Sequence, residues 1–255
     1  MPAYDPNPRI ITASSAELLK IAVWLSEHEK NPDNPKTVLI GGWAVDAYNP
    51  YLGSVDIDLV TNSKMKRSLM YHLTSREGYQ YDSRFPFGKT VFKETPPGEI
   101  ILDFETREVI YSFEGHPNLP FKLDILDGNV VTKPVRGGVG MAVPNRATLL
   151  FLKMKAAWDR GYRIEHSIPL IDPEWEAGKR VKDFADILAL IDPGTGGRWD
   201  IDIEILGSLL SQYRFLKDLI LEIPELPEID AISNRYGRID MSTIRSICIA
   251  LDSIL

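Results

Sequence analysis

Residues 55–59 constrain the possible folds of this chain more than any other stretch. Val55, Ile57 and Leu59 alternate with Asp56 and Asp58, and successive side chains of a strand point to opposite faces of a sheet. A strand here has one wholly apolar face and one that presents two carboxylates, their Cα atoms about 6 to 7 Å apart. The apolar face requires a core against it, and the acidic face requires water or a cation. Taken alone, the pair is equally a polar strand edge turned to solvent.

The flanking sequence supplies an architecture. TVLI reads as a short buried strand, Gly41-Gly42 as a tight turn and WAVDAY as the opening of a helix. Over 14–30, Leu18, Leu19, Ile21, Ala22 and Leu25 fall at helical spacing, with Ser14 or Ser15 as the cap. Residues 64–77 read as helix, and 78 to about 143 mainly as strands. Thr95-Pro96-Pro97-Gly98 separates TVFKE from EIILDFE as a hairpin does, and Asp127-Gly128 separates FKLDIL from NVVTKPV in the same manner. Gly137-Gly138-Val139-Gly140 weakly echoes a dinucleotide loop, but no helix follows closely and it reads as a turn. From Asn145 the apolar period becomes helical through ATLLFLKMKAAW, GKRVKDFADILALI, IEILGSLLSQYRFLKDLILEI and STIRSICIALDSIL. The expectation is an α/β (α+β) chain, with a mixed-sheet domain over 1–143 and a helical domain over 144–255.

Charge and composition exclude several functions. A net charge of −7 argues against a general phosphate-backbone binder. Local basic clusters remain, Lys64, Lys66 and Arg67 in one place and Lys153, Lys155, Arg160 and Arg163 in another. The first reads as a solvated helix face. No run approaches the roughly 18 apolar residues of a membrane helix, and MPAYDPNPRI carries neither a basic leader nor an apolar signal core. The expected setting is cytoplasmic, with no membrane partner. Cys248 is the single cysteine, so no disulfide forms within the chain, and its place in SICIAL predicts a buried thiol. His28, His72, His116 and His166 show no metal-ligand spacing, and a calcium loop opening at Asp56 fails because Thr61 and Arg67 stand where Gly and an acid are needed. Trp24, Trp43 and Trp158 lie in helical patterns that predict core packing.

Two carboxylates on one strand face can share Mg2+. In two-metal phosphoryl chemistry the ions lie about 3.5 to 4 Å apart, one activating the attacking oxygen and one neutralising the leaving group. A third carboxylate on a neighbouring strand completes such a site. Asp103, between Leu102 and Phe104, is the preferred candidate, and Asp124 in FKLDIL has the same apolar flanks. Gly41-Gly42 before a helix lets backbone approach a ligand closely and offers N–H groups to phosphate oxygens.

On these residues the chain resembles a known superfamily. VLIGGWAVDAYNPYLGSVDIDLV resembles the signature of DNA-polymerase-β-like nucleotidyltransferases, in which an apolar residue, Gly-Gly or Gly-Ser, a short helix and an Asp-apolar-Asp-apolar strand follow one another. LLFLKMKAAWDRG and KRVKDFADILAL are similar to the helical region of the AbiEii-like toxin nucleotidyltransferases, with a lysine, a nearby alanine and arginine, then a Lys/Arg-Asp-x-x-Asp group. The resemblance implies a polymerase-β-like nucleotidyltransferase domain followed by a helical domain, an NTP substrate and Mg2+, two ions of it. It implies that Gly41 and Gly42 contact the triphosphate and that Asp56 and Asp58, with Asp103, bind metal. It implies that Lys153 approaches the nucleotide phosphate and that Asp183 is the acidic residue of the second block, with Lys155 and Lys182 as flanking options. Asp183 and Asp186 are also ordinary for a solvated helix face. Ser54 departs from the Arg or Thr that many relatives carry near that place. The implied activity is transfer of an NMP to an RNA such as tRNA, or to a protein, with an antitoxin protein as partner. GGWAVDA also resembles the start of aminoglycoside and lincosamide nucleotidyltransferases, which leaves a small-molecule acceptor open. A non-catalytic nucleotide-binding module stays open as well.

Overall fold

Helix α1 (Pro8–His28) starts earlier than its apolar stripe suggests. In the computed structural model, which describes residues 6–29, 37–83, 89–168, 172–196 and 200–254, the side chain of Asn7 accepts the N–H groups of Arg9 and Ile10 at 3.1 Å each. Pro8 follows at the first helical position, where the N–H it lacks has no partner to lose. Ser14, expected as the cap, is instead buried within α1 and accepts the indole N–H of Trp43 at 3.0 Å.

The chain divides into two compact units. One comprises Pro6–Tyr111 and Phe121–Pro144; the other comprises Ser112–Pro120 with the described residues from Asn145 onward. The first unit is built on β1 (Val38–Ile40), β2 (Ile57–Thr61), β3 (Gln80–Tyr81), β4 (Thr90–Thr95) and β5 (Gly98–Thr106), in the order β1-β2-β5-β4-β3. β2 and β5 are parallel and the other pairs antiparallel, so the sheet is mixed as expected. Helix α2 (Gly41–Asp46) links β1 to β2, and α3 (Ser63–Arg76) follows β2, capped by Asn62, whose Oδ1 accepts the Met65 N–H at 2.8 Å. β4 and β5 turn at Pro96-Pro97, with Thr95 opposite Gly98. Leu39, Ile57, Leu59, Leu69, Val91, Ile100 and Leu102 form the fully buried core, each contributing up to about 1.5 to 3 kcal/mol. Val60 is buried too, although it shares the face of Asp58, so that face is covered beyond the carboxylate.

The second expected hairpin does not form as read. β6 (Ile110–Phe113) pairs with β7 (His116–Lys122), and β8 (Val130–Pro134) pairs with β9 (Gly140–Pro144). Between β7 and β8, Leu123–Leu126 makes a 3-10 turn that buries Leu123 and Leu126. Residues three apart eclipse on such a turn, so one buried face satisfies both leucines, which strand alternation cannot do. The glycine segment turns as expected over 137–139, with Gly137 and Gly138 at φ 95° and 84°, and Gly140 opens β9.

The second unit is helical: α4 (Arg146–Glu165), α5 (Pro173–Ile191), α6 (Ile203–Gln212), α7 (Arg214–Glu222), α8 (Ile229–Tyr236) and α9 (Met241–Ile254). Asn145 and Asp172 cap α4 and α5, accepting the N–H groups of Thr148 at 2.8 Å and Trp175 at 3.0 Å. The run from 203 to 223, expected as one helix, breaks at Tyr213 (φ −130°, ψ 62°). The Tyr213 hydroxyl donates to the Pro120 carbonyl at 2.9 Å, and its ring lies 4.7 Å from that of Phe113 and 5.5 Å from that of Phe151. Side-chain packing here overrides helix propensity with no Gly or Pro to mark the break. Cys248 is buried as expected, and burial pushes its thiol up to about 11. Among the described residues no helix is long and apolar enough to cross a membrane.

Candidate active site

Strand register assembles the candidate site within the sheet unit. Ile40 lies opposite Asp58, Asp58 beside Asp103, and Asp103 opposite Thr90. Neighbouring strands run about 4.8 Å apart, so Asp58 and Asp103 stand side by side on one face. The Thr90 hydroxyl donates to Asp103 Oδ1 at 2.5 Å and fixes that carboxylate. The row opens into a cleft of about 320 Å³ lined by Ile40, Asp58, Lys89, Thr90, Asp103 and Glu105, among others.

Gly41 closes one side of this row. It starts α2 at φ +67°, and a Cβ built there would lie 2.8 Å from Asp58 Cγ and closer still to Oδ2. No L side chain fits without moving the carboxylate, and the backbone conformation itself costs a non-glycine residue about 1 to 2 kcal/mol. Gly41→Ala is therefore expected to lower stability by at least that amount in urea unfolding; a melt indistinguishable from wild type would contradict the close packing. α2 is held firmly. Asp46 at its end accepts two bonds from the Arg136 guanidinium, at 3.0 and 2.7 Å, and Arg136 lies over the buried Trp43 ring at 5.2 Å.

The other expected site residues fall in different places. Asp56 is buried in the bend that feeds β2, one residue before the strand begins, and the cleft lining includes Asp58 and Asp103 but not Asp56. Gly42 is buried in the first turn of α2. Asp124 is exposed on the 3-10 turn and not on a strand, which leaves Asp103 as the carboxylate beside Asp58. Among the described residues no group of three or more His, Cys, Asp and Glu side chains is gathered so as to hold a metal ion. Magnesium asks for less, since it binds through one or two carboxylates and takes further oxygens from water and substrate phosphates. Asp58 and Asp103, hard oxygen donors on adjacent strands, suit that demand.

Lys153 and Asp183 lie together in the helical unit. Lys153 Nζ is 3.0 Å from Asp183 and 2.7 Å from Asp186, and Arg160 Nε donates to Asp183 at 2.8 Å. Lys182 pairs with Asp186, and Arg160 also reaches Glu176 at 2.6 Å. Lys153, Lys182, Asp183 and Asp186 are all buried. Burial works against the charge on Lys153, but Asp186 and Asp183 outweigh it and raise its pKa. Burial alone would raise Asp183; Lys153 and Arg160 instead hold it at about 2, from an ordinary 3.8. A carboxyl depressed on folding stabilises the fold above its unfolded value, and that stabilisation is lost as pH falls. The helical unit is therefore expected to lose stability between about pH 4 and pH 2, and a urea-unfolding midpoint, followed by helical circular dichroism, that stays unchanged across that window would contradict the pairing.

Sequence reasoning missed Lys89, Thr90, Glu105 and Tyr111. The signal was present for one of them: Glu105 continues the alternation of Leu102, Asp103 and Phe104 along β5. Lys89 Nζ donates to Glu105 Oε2 at 3.1 Å, and the Tyr111 hydroxyl donates to the same oxygen. Compared with known protein families and with curated proteins, the chain matches none. The structure shows a mixed α/β fold with a cleft in which two carboxylates stand side by side on parallel strands.

Proposed function

We propose that the chain is a metal-dependent nucleotidyltransferase that moves an NMP from an NTP to an RNA or protein acceptor. One observation carries this reading: Asp58 packs directly against the Gly41 backbone while standing in register beside Asp103. A glycine turn next to paired carboxylates supports the arrangement that the resemblance to polymerase-β-like nucleotidyltransferases implies. Asp58 and Asp103 would hold Mg2+; Asp56, which the resemblance also implies as a ligand, lies in the bend before β2 and is not part of the cleft lining. Bound there, magnesium supplies charge neutralisation for the phosphates and acidifies the acceptor hydroxyl.

The protein's own part is positioning. Gly41 lets the Asp58 carboxylate pack against the backbone at the start of α2, and the triphosphate contact that the resemblance implies for Gly41 and Gly42 would be made through that turn's N–H groups, although Gly42 is buried in it. Thr90 fixes the Asp103 carboxylate, which takes the acceptor proton. The acceptor oxygen then attacks the α-phosphorus in line, and pyrophosphate leaves. Lys153 and Asp183 belong to the buried ion pairs of the helical unit, so a phosphate contact by Lys153 would require it to leave two carboxylates.

Incubation with each labelled NTP and Mg2+, with tRNA, with protein and with no acceptor, tests the reading. Pyrophosphate release that depends on one macromolecular acceptor is expected. Release only with an aminoglycoside or lincosamide favours the small-molecule alternative, and nucleotide binding without release favours a non-catalytic module. An antitoxin partner is tested by co-expression with neighbouring open reading frames, scored as relief of growth arrest.

A further inference from the structure

The cleft has two tiers along β5. Asp103 and Glu105 are two residues apart on that strand, so they share a face with Cα atoms about 6 to 7 Å apart. Asp103 belongs to an acidic tier with Asp58 and Thr90. Glu105 belongs to a tier of different chemistry, where one of its oxygens accepts from both Lys89 and Tyr111. The Lys89 ammonium also lies 5.3 Å from the centre of the Tyr111 ring. The Lys89 carbonyl accepts the Phe104 N–H at 2.8 Å, which pins its backbone between the two tiers. The Lys89 and Glu105 side chains remain 38% and 34% exposed, and both line the cleft.

Resting on the nucleotidyltransferase reading above, we propose that Lys89 receives the β- and γ-phosphates of the NTP and then the departing pyrophosphate, so that the cleft selects triphosphates over monophosphates. In the transfer, the acceptor oxygen forms a bond to the α-phosphorus. The bond from the α-phosphorus to the oxygen bridging the β-phosphate breaks, its electron pair stays on pyrophosphate, and the acceptor proton passes to Asp103. Negative charge therefore grows on pyrophosphate, and an ammonium within reach stabilises charge that develops in the transition state. Lysine suits the task, since its flexible stem lets three donors follow the leaving group. Glu105 holds Lys89 in place beforehand, and a part-exposed ion pair of this kind is weak enough for phosphate oxygens to displace it. Lys153, in contrast, is buried against Asp183 and Asp186.

Calorimetric titration of inorganic pyrophosphate and of AMP into the full chain in magnesium buffer tests the assignment. Lys89→Met is expected to weaken pyrophosphate binding at least about tenfold and leave AMP unchanged, while Lys89→Arg stays within about threefold of wild type. Glu105→Gln, which removes the competing carboxylate and keeps Lys89, is expected to bind pyrophosphate as tightly as wild type or more tightly. Wild-type pyrophosphate binding that survives Lys89→Met overturns the role of Lys89 and leaves the nucleotide reading standing, as does a loss on Glu105→Gln. A wild-type protein that binds neither pyrophosphate nor any NTP overturns both.

Discussion

Asp58→Asn is expected to cut nucleotide transfer by about 10²- to 10³-fold or more while the fold persists. The carboxylate is half-buried at the cleft and stands beside a second acid, Asp103. Asn keeps its shape and removes its charge, so the packing against Gly41 stays while the electrostatic purpose of the row is lost. The fold is expected to persist, since the shape that packs against Gly41 is kept. Asp103→Asn is expected to behave alike, because Thr90 can donate to an amide oxygen as well as to a carboxylate. Asp124→Asn, on the exposed 3-10 turn, is expected to leave activity as it is. Transfer kinetics beside thermal melts separate these outcomes; an Asp58→Asn protein that is folded and turns over normally removes the row from the chemistry.

The largest expected loss of stability comes from the helical unit. Asp186→Ala leaves Lys153 and Lys182 buried with one counter-charge gone, and breaking a buried pair in this way costs about 3 to 5 kcal/mol. The cost arises from desolvated charge left behind more than from the attraction lost. Burial pushes the Lys182 pKa down and the Lys153 charge adds to it, with Asp186 opposing both, so removing Asp186 lowers it further. Urea unfolding followed by helical circular dichroism measures the effect. A shift below about 1 kcal/mol, the range of a surface ion pair, would contradict the burial of this network.

Much of the sheet unit was legible because period two and turn chemistry are local signals. TVLI and the Pro96-Pro97 turn each predicted an element that is present, and the alternation over 55–59 predicted β2, which begins only at Ile57, so Asp58 is on the strand and Asp56 in the bend before it. What alternation could not give is register. That Asp58 meets Asp103 follows from a parallel pairing between strands far apart in the sequence, and the same alternation argument left Asp124 open as a rival. Asp124 was misplaced because Leu123 and Leu126, three apart, take a 3-10 turn in preference to a strand. The break at Tyr213 and the helix α8 were invisible for a related reason, since side-chain packing decides the first and α8 is too short for its period to stand out. Lys89 carried no local mark at all. Its importance comes from β4 lying next to β5, which only the folded chain makes plain.

The most direct measurement is a crystal structure of the full chain with Mn2+ and a non-hydrolysable NTP, the metal located by its anomalous signal. The account predicts manganese against Asp58 and Asp103, with the triphosphate running from the Gly41 turn toward Lys89. Metal and nucleotide bound elsewhere on the molecule, with this cleft holding only water, would contradict it.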